Sequence, residues 1–275
     1  MNGHERLVGA FLSLHVESAA RLLESMPVEQ ANAVFATVDA AAGAPVLGHM
    51  LPTYAARCVE QQAPADAALL LERLGSQESA AVLRHLDPQR RDQVLGSMGT
   101  QWVMAFKLLL SYPVSTVGAW IEPRVLTLPD DCTAGDARDR IARAEESAQA
   151  RIYVLDRSRR IRGAVHGVAL LQTPSRRKIS AILEPAVAIW AREPLATAQE
   201  HSVWERYTEA PIVNRDEEFI GVISYADLRR AYRQLTRTSD SHGERDLAEV
   251  TELIAIGAGS VWEGLGELMR TDRRR

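Results

Sequence analysis

The residues best placed to do chemistry are Ser224 and Asp227, in the stretch GVISYADLRRAY at 221–232. An apolar run opens on Gly221, and a hydroxyl and a carboxylate follow it three residues apart. Helical periodicity starts at Ala226, so Ser224 falls where first-turn N–H groups lack intrahelical partners. Two uses are open. Ser224 can accept from a first-turn N–H while Asp227 reaches back to the entering chain, which is a capping box. Alternatively, the same donors and the positive helix end can hold the sugar hydroxyls and phosphates of a ligand. Arg229 and Arg230 on the next turn could reach phosphates or simply face solvent.

Other chemistry-bearing residues form no pattern. The histidines at 4, 15, 49, 85, 166, 201 and 242 have no metal-ligand spacing. Cys58 and Cys132 are far apart and fit no redox or zinc motif, so both read as ordinary thiols of a reducing compartment. No nucleophile elbow, phosphate loop or dinucleotide fingerprint occurs, and the expectation is a non-enzyme. The carboxylates at Asp39, Asp66, Asp87, Asp92, Glu122, Asp130, Asp131, Glu184, Glu217 and Glu218 read as caps or solvated faces. Metal ligands stay unassigned. The basic turns at 156–163 and 175–180 read as solvated.

The elements that must position Ser224 and Asp227 emerge from composition and repeats. At 275 residues and 46% apolar content the chain has the length of about two globular domains. Its net charge of −4 gives no electrostatic case for nucleic acid, which favours a strongly basic face. No 18-residue apolar run occurs, and the N-terminus lacks a signal-peptide core, so a soluble cytoplasmic chain is expected, without direct membrane insertion. Residues 17–50 align without gaps on 65–98, with Ala19/Ala67, Glu24/Glu72, Asp39/Asp87 and the VLG-x-M endings in common. That is a helical repeat in which each unit buries its apolar stripe on a neighbour. A second repeat sets 121–137 on 183–199 and 153–171 on 212–230, each half reading β-α-β-β-α. The fold class expected is α+β: an all-α superhelix over 1–112, a linker at 113–120, two small β-α-β-β-α units at 121–182 and 183–238, and a tail at 239–275. In the tail, Leu247, Val250, Ile254, Ala258, Val261, Leu265 and Leu268 form a heptad-like stripe for a docked helix or a dimer contact.

A β-α-β-β-α tandem ending in G-x-x-S-x-x-D resembles a pair of CBS domains (cystathionine β-synthase domains). The linker LLSYPVSTVGAWIEP at 109–123, behind a helical superhelix, resembles the cytosolic part of the MgtE magnesium transporter family. Members of that family continue into a transmembrane pore, whereas Leu235 is followed by a polar stretch at 236–246 and then a segment too short in apolar residues to span a bilayer, so the resemblance implies the sensor half without the pore. It implies an adenine nucleotide (ATP, ADP or AMP) between the halves, with Ser224 and Asp227 on the ribose and Gly221 and Pro211 beside them. Counting from Gly163, the first half has His166 and Ala169 at those places, so it implies at most one nucleotide per chain. It further implies Mg2+, a homodimer through the CBS pair, a transporter or other protein partner, and a regulatory role in magnesium homeostasis. A non-catalytic interaction scaffold with a structural CBS dimer interface is the alternative.

Overall fold

The computed structural model describes residues 3–144 and 151–236. It begins with α1 (Gly3–Leu14), α2 (Val16–Glu24), α3 (Val28–Thr37), α4 (Ala40–His49), α5 (Pro52–Glu60), α6 (Pro64–Arg73), α7 (Ser76–His85), α8 (Pro88–Gly96) and α9 (Thr100–Leu110). The sequence punctuates these helices chemically. Pro52, Pro64 and Pro88 each occupy a first helical turn, where the missing N–H costs nothing. Asp39 and Asp87 stand before α4 and α8 and accept N–H groups of Ala42 and Gln89 at 2.8 and 2.9 Å. The repeated Glu24 and Glu72 perform one task twice. Glu24 accepts the N–H of Leu51 ahead of α5, and Glu72 accepts that of Gly99 ahead of α9. From α2 onward each of these helices packs on its next-but-one neighbour, α4 on α6, α5 on α7 and α7 on α9, while α1 packs on α4. The buried seam is largely alanine and leucine: Ala19, Ala20, Ala67, Ala68, Leu47 and Leu71 are all 1% exposed or less. Small side chains bring the axes close.

The linker forms a 3-10 turn at Val117–Trp120 and leads into two three-stranded sheets. The first holds β1 (Thr127–Pro129), β2 (Arg151–Leu155) and β3 (Ile161–His166); the second holds β4 (Ile189–Trp190), β5 (Glu209–Val213) and β6 (Phe219–Ser224). In each, the short leading strand is parallel to the middle one and the last two form an antiparallel hairpin. α10 (Ala134–Arg143) and α11 (Gly167–Gln172) belong to the first half, α12 (Leu195–Gln199) to the second. The α+β class is therefore as the repeats imply. The register of the repeat is not. The hairpin turns place Arg159 and Glu217 at φ 58° and 62°, and Gly163 and Gly221 at φ 156° and 153°. Conformation thus sets Tyr153 opposite Pro211, one residue away from the direct alignment of 153–171 on 212–230.

The two halves exchange their leading segments. Glu122, entering the first half, pairs with Val222 of β6 by two backbone bonds of 2.7 and 3.0 Å. Glu184, entering the second, pairs with Ala164 of β3 by two bonds of 2.9 Å. A Cβ on Gly221 would come within 2.5 Å of the Glu122 carbonyl oxygen, and one on Gly163 within 2.7 Å of that of Glu184. At these two positions the close crossing and the positive φ both require glycine. Between the sheets, Tyr153, Leu155, Ala164, Phe219 and Val222 form a shared core.

The helical region grips the same crossing. Ser76, buried at the start of α7, donates to the Glu122 carboxylate at 3.0 Å, which also accepts the Arg124 N–H at 2.9 Å. Gln77 donates to the Trp120 carbonyl at 2.6 Å, Arg84 to those of Leu109 and Ala119, and Arg124 lies 3.4 Å over the Trp102 ring. Glu122 is thus neither a cap nor a solvated face. The turn at 156–163 is likewise not simply solvated, since Arg159 donates to the Phe219 carbonyl at 3.0 Å. Cys58 is buried, which pushes its thiol up to about 11, and Cys132 is half-buried. From Arg229 the chain forms a separate compact unit, helical through 236. The heptad-like stripe from Leu247 to Leu268 lies outside the described residues.

Candidate ligand site

Ser224 ends β6 and a helix begins at Tyr225. The Ser224 hydroxyl donates to Asp227 Oδ2 at 2.6 Å and accepts the Asp227 N–H at 3.0 Å. The capping arrangement is therefore made, and it fixes the Asp227 carboxylate at the mouth of the helix. The same device opens α10, where Thr133 and Asp136 exchange bonds and the hydroxyl holds the Asp136 carboxyl below the usual range. Across the hairpin, Glu209 stands opposite Ser224, Pro211 opposite Val222 and Ile212 opposite Gly221. Pro211, Gly221, Ser224 and Asp227 thus share one hairpin and its outgoing turn. Gly221 takes up the chain crossing at Glu122, so its part is in the backbone.

Beside this turn lies a cavity of about 360 Å³, lined by Glu184, Pro185, Val187, Val203, Arg206, Tyr207 and their neighbours. The segment that forms its wall, from the 3-10 turn Ser202–Glu205 to Thr208, is tied to Tyr225 of the Ser224–Asp227 turn at two points. Tyr225 donates its N–H to the Thr208 carbonyl at 2.9 Å, and the Trp204 and Tyr225 rings lie 5.2 Å apart. A hollow of this size is in the range that small ligands occupy. Arg206 and Glu184 supply charge, while Pro185, Val187 and Val203 supply an apolar bed.

The first half differs at the equivalent place. His166 Nε2 lies 3.5 Å from Glu184 Oε2. Ala169 contributes only its carbonyl, which accepts from Thr173 at 2.7 Å. The position equivalent to Asp227 therefore carries no carboxylate in the first half. A second hollow of about 600 Å³ opens along Val125, Thr127, Cys132, Asp136 and Arg140.

Sequence reasoning did not single out the polar cluster that joins the halves behind the 360 Å³ cavity. Arg151 starts β2 and is 7% exposed. It donates to the Pro185 carbonyl at 3.2 Å and stacks 3.8 Å over the Tyr207 ring. Tyr153 is fully buried with no partner for its hydroxyl, and burial pushes that phenol up. Glu209 starts β5, and burial pushes its carboxyl up to about 7 against the opposing pull of Arg151. Arg151 and Glu209 hold equivalent places in the two hairpins, opposite His166 and Ser224 respectively. That repeated position was the available signal. Among the described residues no group of three or more His, Cys, Asp or Glu side chains is placed to hold a metal ion.

The MgtE intracellular N domain family matches residues 14–115, and the CBS domain family matches residues 179–234. The chain has the build of the cytosolic part of an MgtE magnesium transporter. It is similar to the crystal structure of the cytosolic domain of the Mg2+ channel MgtE in complex with ATP, with a TM-score of 0.67 at 19% identity over 78% of this chain and 90% of that one. It is also similar to the soluble part of a magnesium transporter, with a TM-score of 0.57 at 15% identity over 84% and 97%. No curated protein sequence matches the chain. The CBS family match spans the second half, and the first half repeats its strand order and its crossed leading segment. No helix among the described residues is long and apolar enough to cross a membrane. MgtE N and CBS domains are regulatory modules, which gives the chain a regulatory role in general terms.

Proposed function

We propose that this chain is a cytoplasmic, non-catalytic sensor of the MgtE type, binding one adenine nucleotide in the second CBS half. The observation that carries the reading is the 360 Å³ cavity beside a carboxylate that Ser224 holds at a helix mouth. Asp227 receives two ribose hydroxyls, a charge-assisted contact stronger than a neutral hydrogen bond. The apolar bed of Pro185, Val187 and Val203 takes the base, and the helix N-terminus favours the phosphates. The similar MgtE cytosolic domain was crystallised in complex with ATP, which supports the same ligand class here. Magnesium enters as a second ligand of the assembled protein, with no ligand residues assigned in this chain.

The output is conformational. A nucleotide that binds one arrangement of the helical region and CBS pair better shifts the population toward it, by no more than its differential affinity. On α11, Val168 and Leu171 are 67% and 72% exposed, an apolar face that a second copy of the chain covers in a homodimer. A transporter is the partner that receives the signal.

Thermal unfolding with ATP, ADP, AMP and MgCl2, each alone and ATP with MgCl2, tests the reading. At about 100 times its dissociation constant a ligand adds ~2.7 kcal/mol. For a chain this size, that moves the midpoint by roughly 5–10 °C. The expected result is a shift with a nucleotide that Asp227→Ala abolishes. No shift with any nucleotide favours the interaction scaffold.

A further inference from the structure

The charged groups behind the second-half cavity come from both halves of the pair. Arg151 is a first-half side chain that reaches into the second half. Its guanidinium covers one face of Tyr207 at 3.8 Å and bonds the Pro185 carbonyl at 3.2 Å, and both residues line the cavity. Arg151 is 7% exposed, and its Nε has no partner. A planar guanidinium can stack on a ring and bond a carbonyl in one pose, which an ammonium cannot. Tyr207 and Pro185 therefore owe their placement to a residue outside their own half.

The electrostatic partner of Arg151 is Glu209, two residues beyond Tyr207 and directly opposite Ser224 on β6. The groups that the structure sets against Glu209 are Arg151 and Tyr153 from β2 and, across the hairpin, Ser224. Nearby, His166 and Glu184 form a separate pair. Of these neighbours Arg151 alone is a fixed cation, and it is shared among Glu209, Tyr207 and Pro185. A phosphate-bearing ligand held at the Ser224 turn brings negative charge across the hairpin from the half-buried Glu209 carboxylate. Like charge disfavours the ionised form.

We propose that Arg151 is a positioning residue for the nucleotide site, setting Tyr207 and Pro185 in its wall, and that Glu209 takes a proton from solvent when an anionic ligand binds. The inference rests on the nucleotide reading of the second half. In the balanced step the Glu209 carboxylate gains one proton from water or buffer and becomes a neutral carboxyl, and no other bond changes. Its free carboxyl already titrates near neutrality, pushed up to about 7 by burial, so the uptake falls in the physiological window. By linkage, ligand affinity then falls as pH rises through that range.

The test is calorimetric titration of ATP into the full chain at pH 6.5 and 8.5, and at pH 7.5 in two buffers of unlike ionisation enthalpy. Wild type, Glu209→Gln and the double variant Arg151→Met/Glu209→Gln are compared under identical conditions, so that titration of ATP itself cancels. The double variant removes both charges together and leaves neither buried alone. The expected result is proton uptake by the wild type that Glu209→Gln lacks. Between the two pH values the wild type should lose at least threefold more affinity than Glu209→Gln. The double variant should bind at least fivefold more weakly than Glu209→Gln. Equal uptake and equal pH trends in wild type and Glu209→Gln would overturn the proton linkage, as would a folded Glu209→Gln that no longer binds ATP. Equal affinities of the single and double variants would overturn the positioning role of Arg151. If the wild type fails to bind ATP at either pH, the nucleotide reading falls and this inference with it.

Discussion

Asp227 has two tasks in this account: it completes the cap with Ser224, and in the proposed site it receives the ribose. Asp227→Asn separates the two. The amide keeps the capping geometry but loses the charge-assisted contact, so nucleotide affinity should drop by about 10- to 100-fold while the melting midpoint stays nearly constant. Gly221→Ala should act in the opposite way. Its Cβ would press within 2.5 Å of the Glu122 carbonyl oxygen at a φ of 153°, so the chain should lose about 2 kcal/mol or more in urea unfolding. Gly167→Ala, with open space around the new methyl, should be neutral or slightly stabilising. Glu209 makes stability fall with pH. Its carboxyl titrates at 4.5 when unfolded and about 7 when folded, so its contribution is fully present below 4.5 and is lost as pH rises through 7. Glu209→Gln should therefore melt higher than wild type at pH 8 and level with it at pH 4.5. Ser224 and Asp227 were legible because their spacing along the chain is their geometry. Arg151 and Glu209 were not, because ordinary residue types far apart in sequence meet only once the two hairpins pack.

At the scale of elements, repeated residues proved to be repeated bonds. Asp39 and Asp87 cap α4 and α8, and Glu24 and Glu72 hold the starts of α5 and α9. Asp87→Ala should cost about 1 kcal/mol in denaturant unfolding. The helical repeat was readable because proline, capping residues and apolar spacing are local signals. The hairpin repeat was readable only to within one residue, since identical side chains are few and the equivalence is fixed by backbone conformation at Arg159, Gly163, Glu217 and Gly221. The exchange of leading segments was hidden entirely. Glu122-Pro123 and Glu184-Pro185 announce a repeated element, but nothing in either segment names the strand of the other half that it pairs with.

For the whole molecule, Glu122 is a residue at which the parts meet. Glu122 takes the hydroxyl of Ser76 from the helical region through its carboxylate, and pairs through its backbone with β6, the strand that ends in Ser224. Ser76→Ala should cost about 1–2 kcal/mol, because the bond is lost between partly buried groups. The MgtE-type order of helical region and CBS pair was legible from the two repeats and the linker between them, whereas this junction was not, since a buried serine on α7 carries no sequence signature. The central claim is that the second CBS half binds a nucleotide through Asp227. The most direct measurement is isothermal titration of ATP into the purified full chain and into Asp227→Ala. The account predicts saturable binding of one ATP per chain that disappears in a variant still folded by circular dichroism. Equal binding by both proteins, or none by the wild type, would contradict it.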